Sequence, residues 1–268
     1  MLRLLIIGAA GRMGQALTRA ASERSDMRIT GAVDAPGGAQ VGRDVGELAG
    51  VGRLGVTITS DLAATLAESD AALDFSHASA SATSLAACVA AGRPLLIGTT
   101  GHDAHFRHEL ERAARHIALL VAANTSVGVT LLTEVARRCA EVLPLEFDVE
   151  IFEAHHRHKK DAPSGTALAL GRAVADARGQ DLDEVGVRNR IGAAPREPGE
   201  IGFAVMRGGD IVGEHSVVFA GDGEQLVLTH RATDRSVFAR GALEAAAWLA
   251  RRPPGRYHMR DILSKTAS

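Results

Sequence analysis

Three imidazoles, one guanidinium and two ammonium groups fall in six successive positions, His155-His156-Arg157-His158-Lys159-Lys160. Asp161-Ala162-Pro163-Ser164-Gly165-Thr166 follows and leads into a helical pattern. Proton donors and fixed positive charge therefore lie beside a helix start, where free N–H groups attract anions. Such a place can grip an anion and protonate it. Lys159 offers a compact ammonium suited to a carboxylate. Pro163 and Ser164 set up the helix start and leave the N–H groups of Gly165 and Thr166 for the same anion. If the preceding strand stays extended, His155 and His156 face opposite ways and need different roles. A histidine near neutral pH can serve as a general acid.

Plainer uses of these residues compete. A basic run can be a solvated face or a nucleic-acid patch. Ser164 can be a simple N-cap and Thr166 a helix-surface residue. His155, His156 and His158 could hold zinc, but the carboxylate or Cys partners expected nearby are missing, so no metal is expected. Two features weigh against nucleic acid. The run is flanked by an apolar strand and a helix cap, and the chain's net charge is −2, which gives no general basic field.

A second chemical motif opens the chain. Gly8-Ala9-Ala10-Gly11-Arg12-Met13-Gly14 follows the apolar run Leu2–Ile7 and precedes a helical pattern. Glycines let the backbone approach a pyrophosphate, and the helix start attracts its charge. Asp34 stands 20 residues past Gly14 at the end of a second apolar run, where an acid grips the adenosine ribose hydroxyls. A glycine turn needed only for packing is the plainer alternative. Ala35-Pro36 follows Asp34, so a 2′-phosphate would meet a carboxylate and no cation. NADH is thus favoured, with NADPH the alternative if Arg12 or Arg43 reaches in.

These residues need a scaffold. The first 126 residues alternate strand and helix, with strands at Leu2–Ile7, Ile29–Val33, Ala71–Phe75, Leu95–Ile97 and Ile117–Ala122. Helical patterns lie near 79–91 and 103–115. Repeated βα units of this length mean an α/β, Rossmann-type, doubly wound parallel sheet. Gly98-Thr99-Thr100 and Ala123-Asn124-Thr125 end two of the later strands, as candidates for the nicotinamide end; an ordinary βα loop is the alternative for each. After Ser126 the pattern shifts to a helix near 127–142 and a half-buried strand over Leu145–Phe152. Ile201–Met206, Ile211–Phe219 and Gln225–Arg231 read as further strands, the first two joined by a hairpin at Arg207-Gly208-Gly209-Asp210. A smaller α+β domain results, with an open mixed sheet of about four strands, antiparallel among the last three. An open sheet leaves edges and one uncovered face, so an oligomer is expected. Residues 178–200 read as a mobile loop, and Phe238–Arg251 as a helix returning to the first domain. The expected domains are 1–126 with 236–268 for the dinucleotide, and 127–235 for substrate and oligomerisation.

Glu153–Leu168 closely resembles the signature of the bacterial 4-hydroxy-tetrahydrodipicolinate reductase (dihydrodipicolinate reductase) family of diaminopimelate–lysine biosynthesis. The resemblance extends through Gly8–Gly14, Ile97–Gly101, Asn124–Val129 and Gly209–His215, nearly the whole chain. The histidine–lysine motif is highly specific; the glycine motif is not. The resemblance implies a homotetramer built through the C-terminal sheets, while Cys88 and Cys139, read as reduced, fit the cytoplasm. It implies hydride transfer from NAD(P)H to a cyclic, unsaturated dicarboxylate, with loss of a 4-hydroxyl as water. By the same match, His155 is the general acid and Lys159 steadies charge in the transition state. His156, Lys159, Ser164, Gly165 and Thr166 form the substrate-carboxylate site, and Asp34 is the ribose-binding acid. Lys160 stands at a variable position and reads as a surface lysine. Many relatives carry Arg where this chain has Ala35, and some carry an aromatic where it has Thr125. A substrate bridging two domains implies closure about hinges near 126 and 235.

Bulk properties agree with a globular enzyme. At 46% hydrophobic and 23% charged residues, composition is ordinary. No apolar run approaches a membrane span, and the N-terminal apolar stretch is too short for a signal peptide. Cys88 and Cys139 sit in helical apolar patterns and read as reduced core residues. That placement argues against a thioester-forming semialdehyde dehydrogenase. A sugar dehydrogenase would not need so many cations. A regulator binding both NADH and nucleic acid would show steep salt dependence.

Overall fold

The computed structural model describes residues 1–192 and 194–264. In chain order the elements are β1 (Leu2–Ile7), α1 (Arg12–Ser22), β2 (Met27–Val33), α2 (Val45–Ala49), β3 (Ile58–Thr59), α3 (Leu62–Ala67), β4 (Ala71–Asp74), α4 (Ala78–Ala91), β5 (Leu95–Ile97), α5 (Ala104–Ala113), β6 (Ala118–Val121), α6 (Val127–Val142) and β7 (Asp148–His155). There follow α7 (Gly165–Ala177), α8 (Leu182–Val185), β8 (Gly186–Val187), β9 (Ile201–Arg207), β10 (Gly213–Gly221), β11 (Glu224–Ala232), α9 (Ser236–Leu249) and β12 (Gly255–Tyr257). The chain divides into two compact units. Among the described residues, the first comprises 1–127 and 236–264, and the second 128–235. Residues 265–268 of the expected first domain lie outside the described residues.

The first unit is a seven-stranded sheet ordered β12-β6-β5-β4-β1-β2-β3, parallel at every pairing. β1 shows why such strands read as continuous apolar runs. Leu4 and Ile6 pack on one face with Leu17 of α1 and Leu243 of α9. Leu5 and Ile7 pack on the other with Leu85 of α4 and Leu110 of α5. Both faces are covered, so both parities of the strand are buried. The order reverses between β1 and β4, and the carboxyl ends of the strands there form the crevice where ligands bind in doubly wound sheets.

The second unit holds a five-stranded sheet ordered β11-β10-β7-β9-β8. This corrects the sequence expectation in three ways. There are five strands rather than about four. β9 and β10 are not a hairpin, because β7 lies between them, parallel to β9 and antiparallel to β10. The hairpin is instead β10–β11, closed at Asp222-Gly223, where Gly223 adopts a positive φ of 83° that favours glycine. Residues 178–200 also carry regular structure. Asp181 caps α8 through the Asp183 N–H, and β8 pairs with β9. α6 and α7 pack Leu132, Ala136, Leu170 and Val174 against Val149, Ile151, Phe203, Val217 and Phe219 of the sheet. At the edge, β11 leaves Leu226 and Val227 exposed.

Candidate active site

The glycine turn is held where the sequence places it. The N–H groups of Gly8 and Ala9 both donate to the Val33 carbonyl, at 2.8 and 3.0 Å, so the end of β2 fixes the turn. Gly8 has φ of 80°, and a Cβ there would lie 2.7 Å from the Phe75 carbonyl oxygen. A Cβ at Gly14 would lie 2.4 Å from the Gly8 carbonyl oxygen. Neither position accepts a side chain. Gly11 is the N-cap of α1 and provides no side-chain cap, so the first-turn N–H groups lack a side-chain acceptor. Arg12 is exposed and Met13 half-buried at the helix start.

Asp34 closes the turn from the other side. Its carboxylate accepts the Ala10 N–H at 2.7 Å and the Ala35 N–H at 2.8 Å. A cleft of about 590 Å³ runs past Gly8, Gly11, Asp34 and Ala35 to Phe75, Ser76 and His77. No Lys or Arg is among its described lining residues, and Arg43 donates to Gln40 at 2.7 Å. A glycine cradle, an uncapped helix start and a carboxylate over an apolar cleft fit the adenosine diphosphate part of a pyridine nucleotide. The β4–α4 corner, Phe75 to Ala80, was not anticipated. Its signal was Asp74-Phe75-Ser76 at a strand's carboxyl end.

The nicotinamide-end candidates divide. Gly98 passes so close to Phe75 that a Cβ would fall 1.9 Å from the ring. Thr99 lies beside the buried Asp74, 3.4 Å from its carbonyl oxygen, and Thr100 and Ala123 are exposed. Asn124 accepts the Ser126 N–H at 2.9 Å. Thr125 is turned inward: it is buried, and its hydroxyl donates to the Phe238 carbonyl at 2.7 Å. Close packing makes this possible, since a Cβ on Gly241 of α9 would fall 1.9 Å from the Thr125 carbonyl oxygen.

In the second unit, β7 delivers the histidine motif. Odd-numbered positions from Val149 point into the core, so Glu153 and His155 are buried. Glu153 is fully buried and fully engaged. Arg207 donates to both its oxygens at 2.7 Å, the Ser164 N–H donates at 2.9 Å, and His155 Nδ1 lies 2.6 Å away. Burial opposes the Glu153 charge, but Arg207, His155 and the Ser164 N–H together hold its pKa below the ordinary value. Burial lowers the His155 pKa; Glu153 works against that shift, whereas Lys159 and Arg207 add to it. With Nδ1 committed to Glu153, Nε2 is the atom left for chemistry. Gly213 keeps its approach open, since a Cβ there would lie 3.1 Å from Nε2.

His215 backs this arrangement. Its ring meets that of His155 edge-on at 5.1 Å, and its Nε2 lies 3.1 Å from the Ser164 hydroxyl. Burial pushes its pKa down to about 4, with the His155 charge adding to the effect. Ser164 acts as the N-cap of α7, accepting from the Ala167 N–H at 3.2 Å, and is itself buried. Its hydroxyl therefore has two protein partners. Lys159 pairs with Asp161 at 2.8 Å. Lys159 above all holds the Asp161 pKa down, with burial opposing and the Gly165 N–H adding to the lowering. His156 and Thr166 are half-buried, and Lys160 is exposed. His156 and His158 approach only to 6.3 Å between rings. Cys88, which is buried, has its thiol pushed up to about 12 by that burial, so it is no nucleophile.

Comparison with known proteins gives the family. A sequence profile for the N-terminus of dihydrodipicolinate reductase matches residues 2–125, and one for its C-terminus matches 128–263. The chain belongs to the dihydrodipicolinate reductase family. A 4-hydroxy-tetrahydrodipicolinate reductase of Halorhodospira halophila is 52% identical over 259 residues, spanning 96% of this chain and 97% of the relative. The namesake from Alkalilimnicola ehrlichii is 50% identical over 262 residues, spanning 97% and 98%. The fold matches a dipicolinate-bound dihydrodipicolinate reductase from Paenisporosarcina sp. TG-14, with a TM-score of 0.77 at 21% identity over 96% of this chain and 97% of that one. The chain is accordingly an oxidoreductase of a pyridine-nucleotide-dependent family in lysine and diaminopimelate biosynthesis. Among the described residues, no helix is long and apolar enough to cross a membrane.

Proposed function

We propose that this chain reduces 4-hydroxy-tetrahydrodipicolinate, or the cyclic imine formed from it by loss of water, to tetrahydrodipicolinate. The observation that carries the reading is His155, held at Nδ1 by a fully buried carboxylate, in the same motif as Lys159 and the start of α7. Bound NAD(P)H supplies the hydride. The ring that accepts it gains an electron pair, and a proton at His155 Nε2 neutralises that charge. His155 resists protonation in this structure because burial, Lys159 and Arg207 disfavour it. A ligand with two carboxylates acts oppositely and raises its proton affinity. Substrate binding thus charges the acid it needs. Glu153 keeps the imidazole oriented through both steps and stabilises the cation that forms. Lys159 and the Gly165 N–H take one carboxylate, with His156 and Thr166 beside them. Ser164 serves by capping α7 and bracing His215.

The cofactor reading is NADH in preference to NADPH. It rests on Asp34 followed by Ala35 and on a cleft lining with no Lys or Arg. Gly8, Ala10, Gly11, Arg12, Met13 and Gly14 would hold the pyrophosphate. Gly98, Thr99, Thr100, Ala123 and Asn124 would flank the nicotinamide, with Thr125 as a backbone support. The first unit is read as the dinucleotide domain and the second as the substrate and oligomerisation domain. A cytoplasmic homotetramer is the reading for the chain; exposed Leu226 and Val227 on β11 support self-association, and light scattering on the purified chain counts the copies.

The roles separate kinetically. His155→Asn should lower kcat by about 10²- to 10⁴-fold, the range of one general acid, with KM nearly unchanged. Lys159→Ala should raise KM as well. A His155→Asn enzyme within tenfold of the wild-type kcat would remove His155 from the chemistry.

A further inference from the structure

Asp161 carries the same charge as the ligand its surroundings are built to receive. Its two oxygens lie 2.8 and 2.9 Å from the Lys159 ammonium, and the Gly165 N–H at the start of α7 adds to Lys159 in holding its pKa down. Those are the two groups read above as the seat of a substrate carboxylate. The protein's own carboxylate therefore occupies a carboxylate site. Its backbone is fixed, because Arg207 Nη2 donates to the Asp161 carbonyl oxygen at 2.7 Å. Its side chain is 60% exposed, whereas that of Lys159 is only 21% exposed. Rotation about the Asp161 side-chain bonds would release the ammonium and the N–H into place for a ligand without moving the main chain.

We propose that Asp161 is an internal competitor for the substrate-carboxylate site, seated on Lys159 beside the start of α7 and displaced by the incoming carboxylate. This inference rests on the reading of the site under Proposed function. Every anion that takes the seat must first displace a tethered carboxylate. The seated fraction lowers the apparent affinity of every ligand by the same factor.

The test is calorimetric titration of pyridine-2,6-dicarboxylate into the NADH-loaded enzyme as wild type, Asp161→Asn, Asp161→Ala, Lys159→Ala and Asp183→Asn. Asp183 is an exposed acid on α8 that pairs with Arg188. Both Asp161 variants should bind the dicarboxylate roughly two- to fivefold more tightly, the size of a solvent-exposed ion pair. Asp183→Asn should bind as wild type, and Lys159→Ala at least about tenfold more weakly. If Lys159→Ala loses binding while both Asp161 variants bind no tighter than wild type, the competitor role is overturned and the site stands. An equal gain in Asp183→Asn would reduce the effect to net charge and also overturn it. If Lys159→Ala binds as wild type, the site assignment fails first. Matching circular dichroism and melting curves establish that the variants are folded.

Discussion

Replacing Arg207 by leucine removes the bidentate partner of a carboxylate that has no access to water. Glu153 is 0% exposed, and the Arg207 side chain is 19% exposed. Removing one member of a buried pair leaves the other charge uncompensated and costs about 3–5 kcal/mol. An exposed pair would cost at most about 1 kcal/mol. The cost should depend on pH with a definite sign. In the wild type the Glu153 pKa is held down, so its contribution is present above the unfolded value and fades in acid. In the variant, burial acts on Glu153 with only His155 and the Ser164 N–H to oppose it, and a bound proton replaces the lost guanidinium at low pH. The deficit should therefore be largest at pH 8 and shrink towards pH 5. His155 should respond as well: Arg207 lowers its pKa, so the His155 ring resonances should titrate at higher pH in the variant. Urea unfolding followed by circular dichroism gives the first quantity, and proton NMR the second. A loss below about 1 kcal/mol, unchanged between pH 5 and 8, would refute the view of Glu153 as a buried charge balanced by Arg207.

The remaining expectations are simpler. His215 has a pKa of about 4 against an ordinary 6.5, so between those values the unfolded chain binds a proton that the folded one does not. Stability should fall as pH drops through that window, by about 3 kcal/mol at 1.36 kcal/mol per unit, and His215→Asn should flatten this part of the curve in acid unfolding titrations. Gly14→Ala places a Cβ 2.4 Å from the Gly8 carbonyl oxygen and should weaken NADH binding more than about tenfold, or 1.4 kcal/mol, by fluorescence titration. Ala35→Arg adds a cation next to Asp34 and should raise kcat/KM for NADPH relative to NADH; an unchanged ratio would show that Ala35 does not set the preference.

How much the sequence discloses depends on the range of the interaction. The glycine turn, α1 and Asp34 are legible because the hydrogen bonds that define them, from Gly8 and Ala9 to Val33 and from Ala10 to Asp34, fall within one βαβ unit. Ser164 is legible as a cap for the same reason. Glu153 shares the parity of Val149 and Ile151, which marks it as buried on β7. His215 likewise shares the parity of Val217 and Phe219 on β10. Arg207 is different. It opens a segment with the composition of a hairpin turn, yet it is the last residue of β9, which pairs with β7, so that Arg207 stands opposite His155 and reaches Glu153. A parallel pairing over such a separation leaves no mark in local composition. β3, β8 and β12 are two or three residues long, too short for periodicity to register. The Lys159–Asp161 contact is the opposite case. Both residues lie in the motif, but the motif alone does not say that one occupies the other.

The most direct test of the account is steady-state oxidation of NADH and of NADPH by the wild-type chain, with substrate generated in place by the upstream synthase. The account predicts turnover that requires the synthase product, with a higher kcat/KM for NADH. A folded chain that binds NADH but oxidises neither cofactor in the presence of that product would contradict it.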